Sequence, residues 1–118
     1  MKYMLLFADT VEHQTPPTDP AKAQAYMGGW MAYMDAMRAA GVLIDGFGLQ
    51  GRHTATTLRV RDGKRQIQDG PFADTKEQLG GYFVIDVANL DAALDWAARS
   101  PAAATGAVEV RPTLGSPT

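Results

Sequence analysis

The segment DGPFADTKEQLGGYF, residues 69 to 83, carries three carboxylates, a lysine, a proline and three glycines. Carboxylates working as a general acid and base would require Asp69 to converge with Asp74 or Glu77. Asp69 is the strongest single candidate, because the Asp62-Gly63 dipeptide predicts a two-residue hairpin that pairs Thr56 with Asp69 and Leu58 with Ile67. Alternation then puts Asp69 on the apolar face with Leu58 and Ile67. A carboxylate buried there costs several kcal/mol unless it is hydrogen-bonded or neutralised, the setting in which a general base arises. The competing reading has Asp69 capping its own turn by accepting backbone N–H groups near Gly70 and Phe72.

His53 enters the same hairpin and is the expected catalytic partner of Asp69, against the alternative of an exposed bystander. His13 lies in a proline-rich stretch, and two histidines forty residues apart give no metal-ligand spacing, so no metal is expected. The absence of cysteine excludes a thiolate nucleophile, a thiolate metal site and a disulfide framework. No cofactor is implied.

Trp30, Arg59, Phe72 and Tyr82 are the expected ligand-binding residues of an apolar pocket between sheet and helix. Trp30 has the alternative of being core, and Phe72 that of anchoring the rim. Thr75 and Gln78 have capping-box spacing, which predicts a short helix beginning there. From Arg52 to Arg65 five basic residues face one acid, a patch suited to an anionic ligand or an acidic protein surface, or equally to a solvated, edge-protecting strand face. Without an aromatic ladder on that face, single-stranded nucleic acid is not an expected partner.

These residues need elements to hold them. Tyr3 to Ala8 (YMLLFA) is apolar on both alternating faces and reads as a central strand. Asp19-Pro20 starts a helix whose apolar stripe runs through Ala23, Met27, Trp30, Met31, Met34 and Met37 and stops at Gly41. Val42 to Leu49 is a strand, the hairpin follows, and Gly81 to Val87 is a second strand apolar on both faces. Asn89 caps a helix carrying Leu90, Ala93, Leu94 and Ala97, and Ala107 to Arg111 is the last strand. The order matches a ferredoxin-like α+β sandwich with an extra hairpin. Two helices cover one sheet face, so the other needs a second copy, giving a dimeric α+β barrel.

A chain of 118 residues with 46% hydrophobic residues and a formal charge of −2 suits one globular domain, here residues 1–113 with a tail at 114–118. No apolar run approaches the length of about 18 residues that a membrane helix needs, so a soluble, cytoplasmic protein is expected.

The MKYMLLF opening, GVLIDGFGL, ATTLRVRDG and the DGPF segment, in this order, resemble the YCII-related family in its DGPF-motif subgroup. The resemblance implies the dimeric barrel but no known reaction. Wider relatives are proposed to use a histidine of the first helix with an aspartate. The helix after Pro20 offers Trp30 and Tyr33 instead, so that dyad does not carry over. The subgroup's association with extracytoplasmic-type sigma factors implies a regulatory role as the alternative. The leading expectation is a small-molecule-binding homodimer performing cofactor-independent acid–base chemistry with Asp69, aided by His53 or an arginine. The alternative is a non-catalytic adaptor working with a sigma factor through the basic hairpin.

Overall fold

A computed structural model describes residues 1–115; positions 116–118 of the expected tail lie outside the described residues. Strand β1 (Lys2–Thr10) runs into a one-turn helix α1 (Val11–Gln14), and helix α2 (Pro20–Ala39) leads to β2 (Leu43–Gly48). A single 3-10 turn (Arg52–Thr54) precedes the hairpin of β3 (Thr56–Arg61) and β4 (Lys64–Asp69). Then come β5 (Glu77–Asp86), α3 (Leu90–Ala98), α4 (Pro101–Thr105) and β6 (Ala107–Pro112). The main sheet has the order β2-β5-β1-β6, all antiparallel, which is the ferredoxin-like α+β arrangement. The doubly apolar strands β1 and β5 are the two central ones, as their composition requires.

Strand alternation divides the sheet into two unlike faces. Tyr3, Leu5 and Phe7 of β1 and Phe83 and Ile85 of β5 point toward the helices and are buried, with Leu5, Ile85 and Met37 of α2 sealed completely. Edge-to-face packing ties Phe7 to Trp30 at 5.2 Å and to Phe83 at 5.3 Å between ring centroids. On the opposite face Met4, Leu6, Tyr82 and Val84 are half-buried and Phe47 is exposed, with no helix above them. The Asp19 side chain caps α2 by accepting from the Lys22 N–H, and Asn89 caps α3 by accepting from the Ala92 N–H.

The hairpin forms a separate two-stranded sheet in the expected register, Thr56 opposite Asp69 and Leu58 opposite Ile67. Its turn residues both have positive φ, Asp62 at 53° and Gly63 at 71°, the conformation of a type I′ turn. The apolar side of this arm is open to solvent: Leu58, Val60 and Ile67 are each more than half exposed. The radius of gyration is accordingly 16.2 Å, against about 13.5 Å for a compact domain of this length.

Two local expectations are corrected. No helix starts at Thr75: the Thr75 hydroxyl donates to the Glu77 carbonyl, and the chain is already extended as β5 from Glu77. Sheet pairing of Glu77 with Thr10 outweighs the local capping signal. Leu90 and Leu94 are about half exposed, so α3 buries only its alanines, Ala93 and Ala97.

Candidate functional site

The inward positions of β1 are Tyr3, Leu5, Phe7 and then Asp9, so the alternation that builds the core also drives one carboxylate into it. Asp9 is only 6% exposed. Its charge is met by hydrogen bonds: Oδ1 accepts from the Thr10 N–H at 2.8 Å, and Oδ2 accepts from the Thr105 hydroxyl at the end of α4. Gly106 makes the approach of that helix end possible. A Cβ there would lie 2.2 Å from the Ala8 carbonyl oxygen and 2.8 Å from Asp9 Cγ, so a side chain cannot be accommodated.

The fourth partner of the cluster is His13. The turn of α1 immediately after β1 brings its Nδ1 to 3.3 Å from Asp9 Oδ1 and 3.0 Å from Thr10 Oγ1. The direction of the Thr10 bond depends on the ring tautomer, and the tautomer that turns Nδ1–H toward the Asp9 carboxylate is the one that leaves Nε2 as a base. The His13 side chain is 46% exposed. A carboxylate that fixes the tautomer of a solvent-accessible imidazole is the arrangement that orients a general base.

The neighbouring strand continues the site. Gln78 of β5 pairs with Asp9; its backbone carbonyl accepts from the Gln14 amide, and its side-chain amide donates to the carbonyl of Ala73. Two open depressions lie at this end of the sheet. One, of about 420 Å3, is bordered by Thr10, Val11 and Glu12 on one side and Asp74, Thr75 and Lys76 on the other. The second, of about 650 Å3, lies among Leu49, the 3-10 turn, the hairpin base, Pro71, Phe72 and Leu79. Arg52 borders both. Its Nη1 and Nη2 donate to the carbonyls of Thr75 and Lys76 at 2.8 and 2.9 Å, while Nε is buried with no partner.

The residues expected to form the site are scattered. Asp69 is exposed, contrary to the burial expected of it, because none of the described residues covers the apolar side of the hairpin; among the described residues its side chain makes no hydrogen bond either, so it does not cap its turn. His53 is exposed on the 3-10 turn, and neither a hydrogen bond nor an ion pair joins it to Asp69. Trp30 packs in the core against Phe7, whereas Tyr82 faces the other side of the sheet, 6.4 Å from the ring of Phe47. Arg59 is half-buried on the hairpin face opposite Leu58. Phe72 alone of the six borders a depression, and it is 77% exposed.

The expected pocket between sheet and helices is filled by the aromatic cluster of Phe7, Trp30, Tyr33 and Phe83. Within it the Tyr33 hydroxyl donates to the Trp96 carbonyl at 2.9 Å. Burial holds that phenol well above the ordinary tyrosine range, with nearby Arg99 opposing the shift. Among the described residues no three His, Asp or Glu side chains gather as metal ligands, and no helix is long and apolar enough to cross a membrane.

Sequence reasoning missed the Asp9–His13 pair because it treated the stretch after β1 as loop. The usable signal was the spacing D-x-x-x-H directly after an alternating strand, which puts both side chains on one face if a helical turn follows. A helical turn, α1, thus precedes the helix that carries Trp30 and Tyr33, and His13 lies in it.

A curated protein of Rhizobium meliloti (strain 1021), the uncharacterized protein R00369, is 53% identical over 60 residues, covering 49% of this chain and 48% of the relative. The match thus spans about half the length of that protein. Among solved structures the fold is similar to 5-chloro-2-hydroxyhydroquinone dehydrochlorinase (TftG) from Burkholderia phenoliruptrix AC1100, in complex with 2,5-dihydroxybenzoquinone. The TM-score is 0.54 at 12% identity, over 98% of this chain and 96% of the other. The pattern of the YCII-related domain matches residues 1–114, and the chain belongs to that family.

Proposed function

We propose that the protein is a small-molecule-binding homodimer of the DGPF subgroup that moves a proton to or from its ligand with His13 as the base, oriented by Asp9. The observation that carries this reading is the buried Asp9 carboxylate, which accepts from Thr10 and Thr105 and lies 3.3 Å from His13 Nδ1. Proton transfer of this kind needs no cofactor. The fold neighbour is a dehydrochlorinase bound to a small hydroxylated quinone, a ligand of the size that this end of the sheet can take. Asp69 and His53 stand as secondary acid–base candidates, since both are exposed. The dimer is supported by the uncovered sheet face and by the exposed apolar side of the hairpin. The support for a sigma-factor adaptor is the exposed Arg61, Lys64 and Arg65 of the hairpin.

The test is deuterium exchange: enolisable carbonyl compounds and hydroxyquinones incubated in D2O are followed by proton NMR with the wild type and His13→Gln. Exchange that depends on His13 is expected. Equal exchange by both proteins, or none with compounds that bind, would overturn the assignment. Native mass spectrometry reads the assembly, and a monomer at micromolar concentration would remove the dimer.

A further inference from the structure

The larger depression, of about 650 Å3, falls within the size range of small-molecule sites, about 300–1,000 Å3. Its walls combine apolar surface from Leu49, Pro71, Phe72 and Leu79 with hydroxyl and amide groups, and Arg52 is the only charged residue among them. That charge has no counterpart: no carboxylate comes within ion-pair distance of Arg52 among the described residues, although Glu12 and Asp74 border the smaller depression that it shares. The guanidinium cannot lose its proton. Two of its nitrogens are held by the neutral carbonyls of Thr75 and Lys76, and Nε–H is a buried donor without an acceptor. The exposed Thr56 hydroxyl in the same wall makes no hydrogen bond to another of the described residues. An uncompensated cation beside an apolar wall is complementary to an anion with an apolar body.

We propose that this depression binds a small organic anion, a carboxylate or an acidic phenolate on a ring-sized apolar body, with Arg52 as the counter-charge and Phe72 as a wall. This rests on the small-molecule reading above and names its ligand class. Arg52 also fastens residues 75 and 76 to the 3-10 turn, so the same side chain sets the shape of the depression and supplies its charge. The Thr54 and Thr57 hydroxyls already donate to the Gly51 and Gly70 carbonyls, which leaves Thr56 as the free hydroxyl donor of the wall.

The experiment is a nitrogen–proton correlation NMR titration of the full chain with benzoate and, separately, with benzamide, its neutral counterpart of nearly the same shape. Benzoate is expected to move the Arg52 Nε–H and the Thr56 and Leu79 amide signals, with a millimolar Kd suited to so small a ligand and about tenfold tighter than benzamide. The preference for the anion should shrink as salt is raised, because the site is open to solvent. Arg52→Gln should abolish the preference. Since that change also unfastens residues 75 and 76, Phe72→Ala supplies an independent check: a wall residue so exposed is not needed for folding, and its loss should weaken benzoate severalfold. Equal binding of benzoate and benzamide, shifts confined to other residues, or no shift at millimolar benzoate would each overturn the proposal. Binding is read without turnover, so its failure leaves the His13 exchange reading standing, and failed exchange leaves the anion site standing.

Discussion

Replacing Asp9 separates the desolvated, hydrogen-bonded carboxylate from an ordinary surface acid. In Asp9→Asn one side-chain oxygen can stay in the Oδ1 position and keep accepting from the Thr10 N–H and His13 Nδ1. The amide then faces Thr105 Oγ1, whose hydroxyl can turn and accept. What is lost is charge assistance, about 1–2 kcal/mol if charged bonds contribute about 1.5–3 and neutral ones about 0.5–1.5 kcal/mol. Asp9→Ala instead removes every acceptor and strands the half-buried Thr10 N–H at about 1–3 kcal/mol, while the exposed Thr105 hydroxyl can turn to water, so a total near 2–4 kcal/mol is expected. For a chain of this length about 4 °C of melting temperature corresponds to 1 kcal/mol, which predicts losses of about 4–8 °C for Asn and about 8–16 °C for Ala. The assay is thermal unfolding at fixed pH and protein concentration, because association makes a midpoint depend on concentration. Nitrogen NMR of the His13 ring supplies a second readout, with Nδ1 protonated and Nε2 bare in the neutral wild-type ring. Two variants that both lose less than about 1 kcal/mol, or a wild-type ring protonated at Nε2, would refute the reasoning.

Three further outcomes follow from the same geometry. Gly106→Ala should destabilise by about 3 kcal/mol in chemical denaturation, the upper end for overpacking, because the added Cβ meets the fixed backbone oxygen of Ala8; a tolerated alanine would show that α4 and β1 are not locked together. Tyr33→Phe should cost about 1 kcal/mol for the bond to Trp96. The folded phenol is shifted upward, so the wild type should keep full stability below the unfolded tyrosine value of 10.0 and lose it as pH rises through that value toward the folded one. Denaturation curves at pH 9 and pH 11 that differ as much in Tyr33→Phe as in the wild type would remove Tyr33 as the cause. Asp69→Asn should change stability by no more than about 0.5 kcal/mol, as for a surface substitution, since the carboxylate is exposed and unbonded; a loss of a full kcal/mol would reinstate the turn cap.

Much of the frame was legible because it depends on periodicity and turn chemistry, which act over a few residues. The Asp62-Gly63 hairpin formed in its expected register because Asp and Gly supply the positive φ that a two-residue turn needs. Asp19 and Asn89 cap their helices because short polar side chains reach free N–H groups there. The site was much less legible. Alternation correctly grouped Asp69 with Leu58 and Ile67, but whether that face is covered depends on what lies opposite, and in this chain nothing does. The Thr75–Gln78 signal failed for the converse reason, since pairing with Thr10 recruited Glu77 into a strand.

The sequence by itself determined the order of elements, the two central strands, the hairpin register and membership of an α+β class, all of which follow from local propensity and side-chain alternation. Only the tertiary structure decided which carboxylate is buried. Asp9 is drawn inward as the fourth core-facing residue of β1, and Thr105, Gly106 and His13 meet it through contacts that span up to 97 positions of the chain, from Asp9 to Gly106. Desolvation depends on every atom that closes around a group, so the residue whose burial gives it chemical character is visible only once the chain has folded.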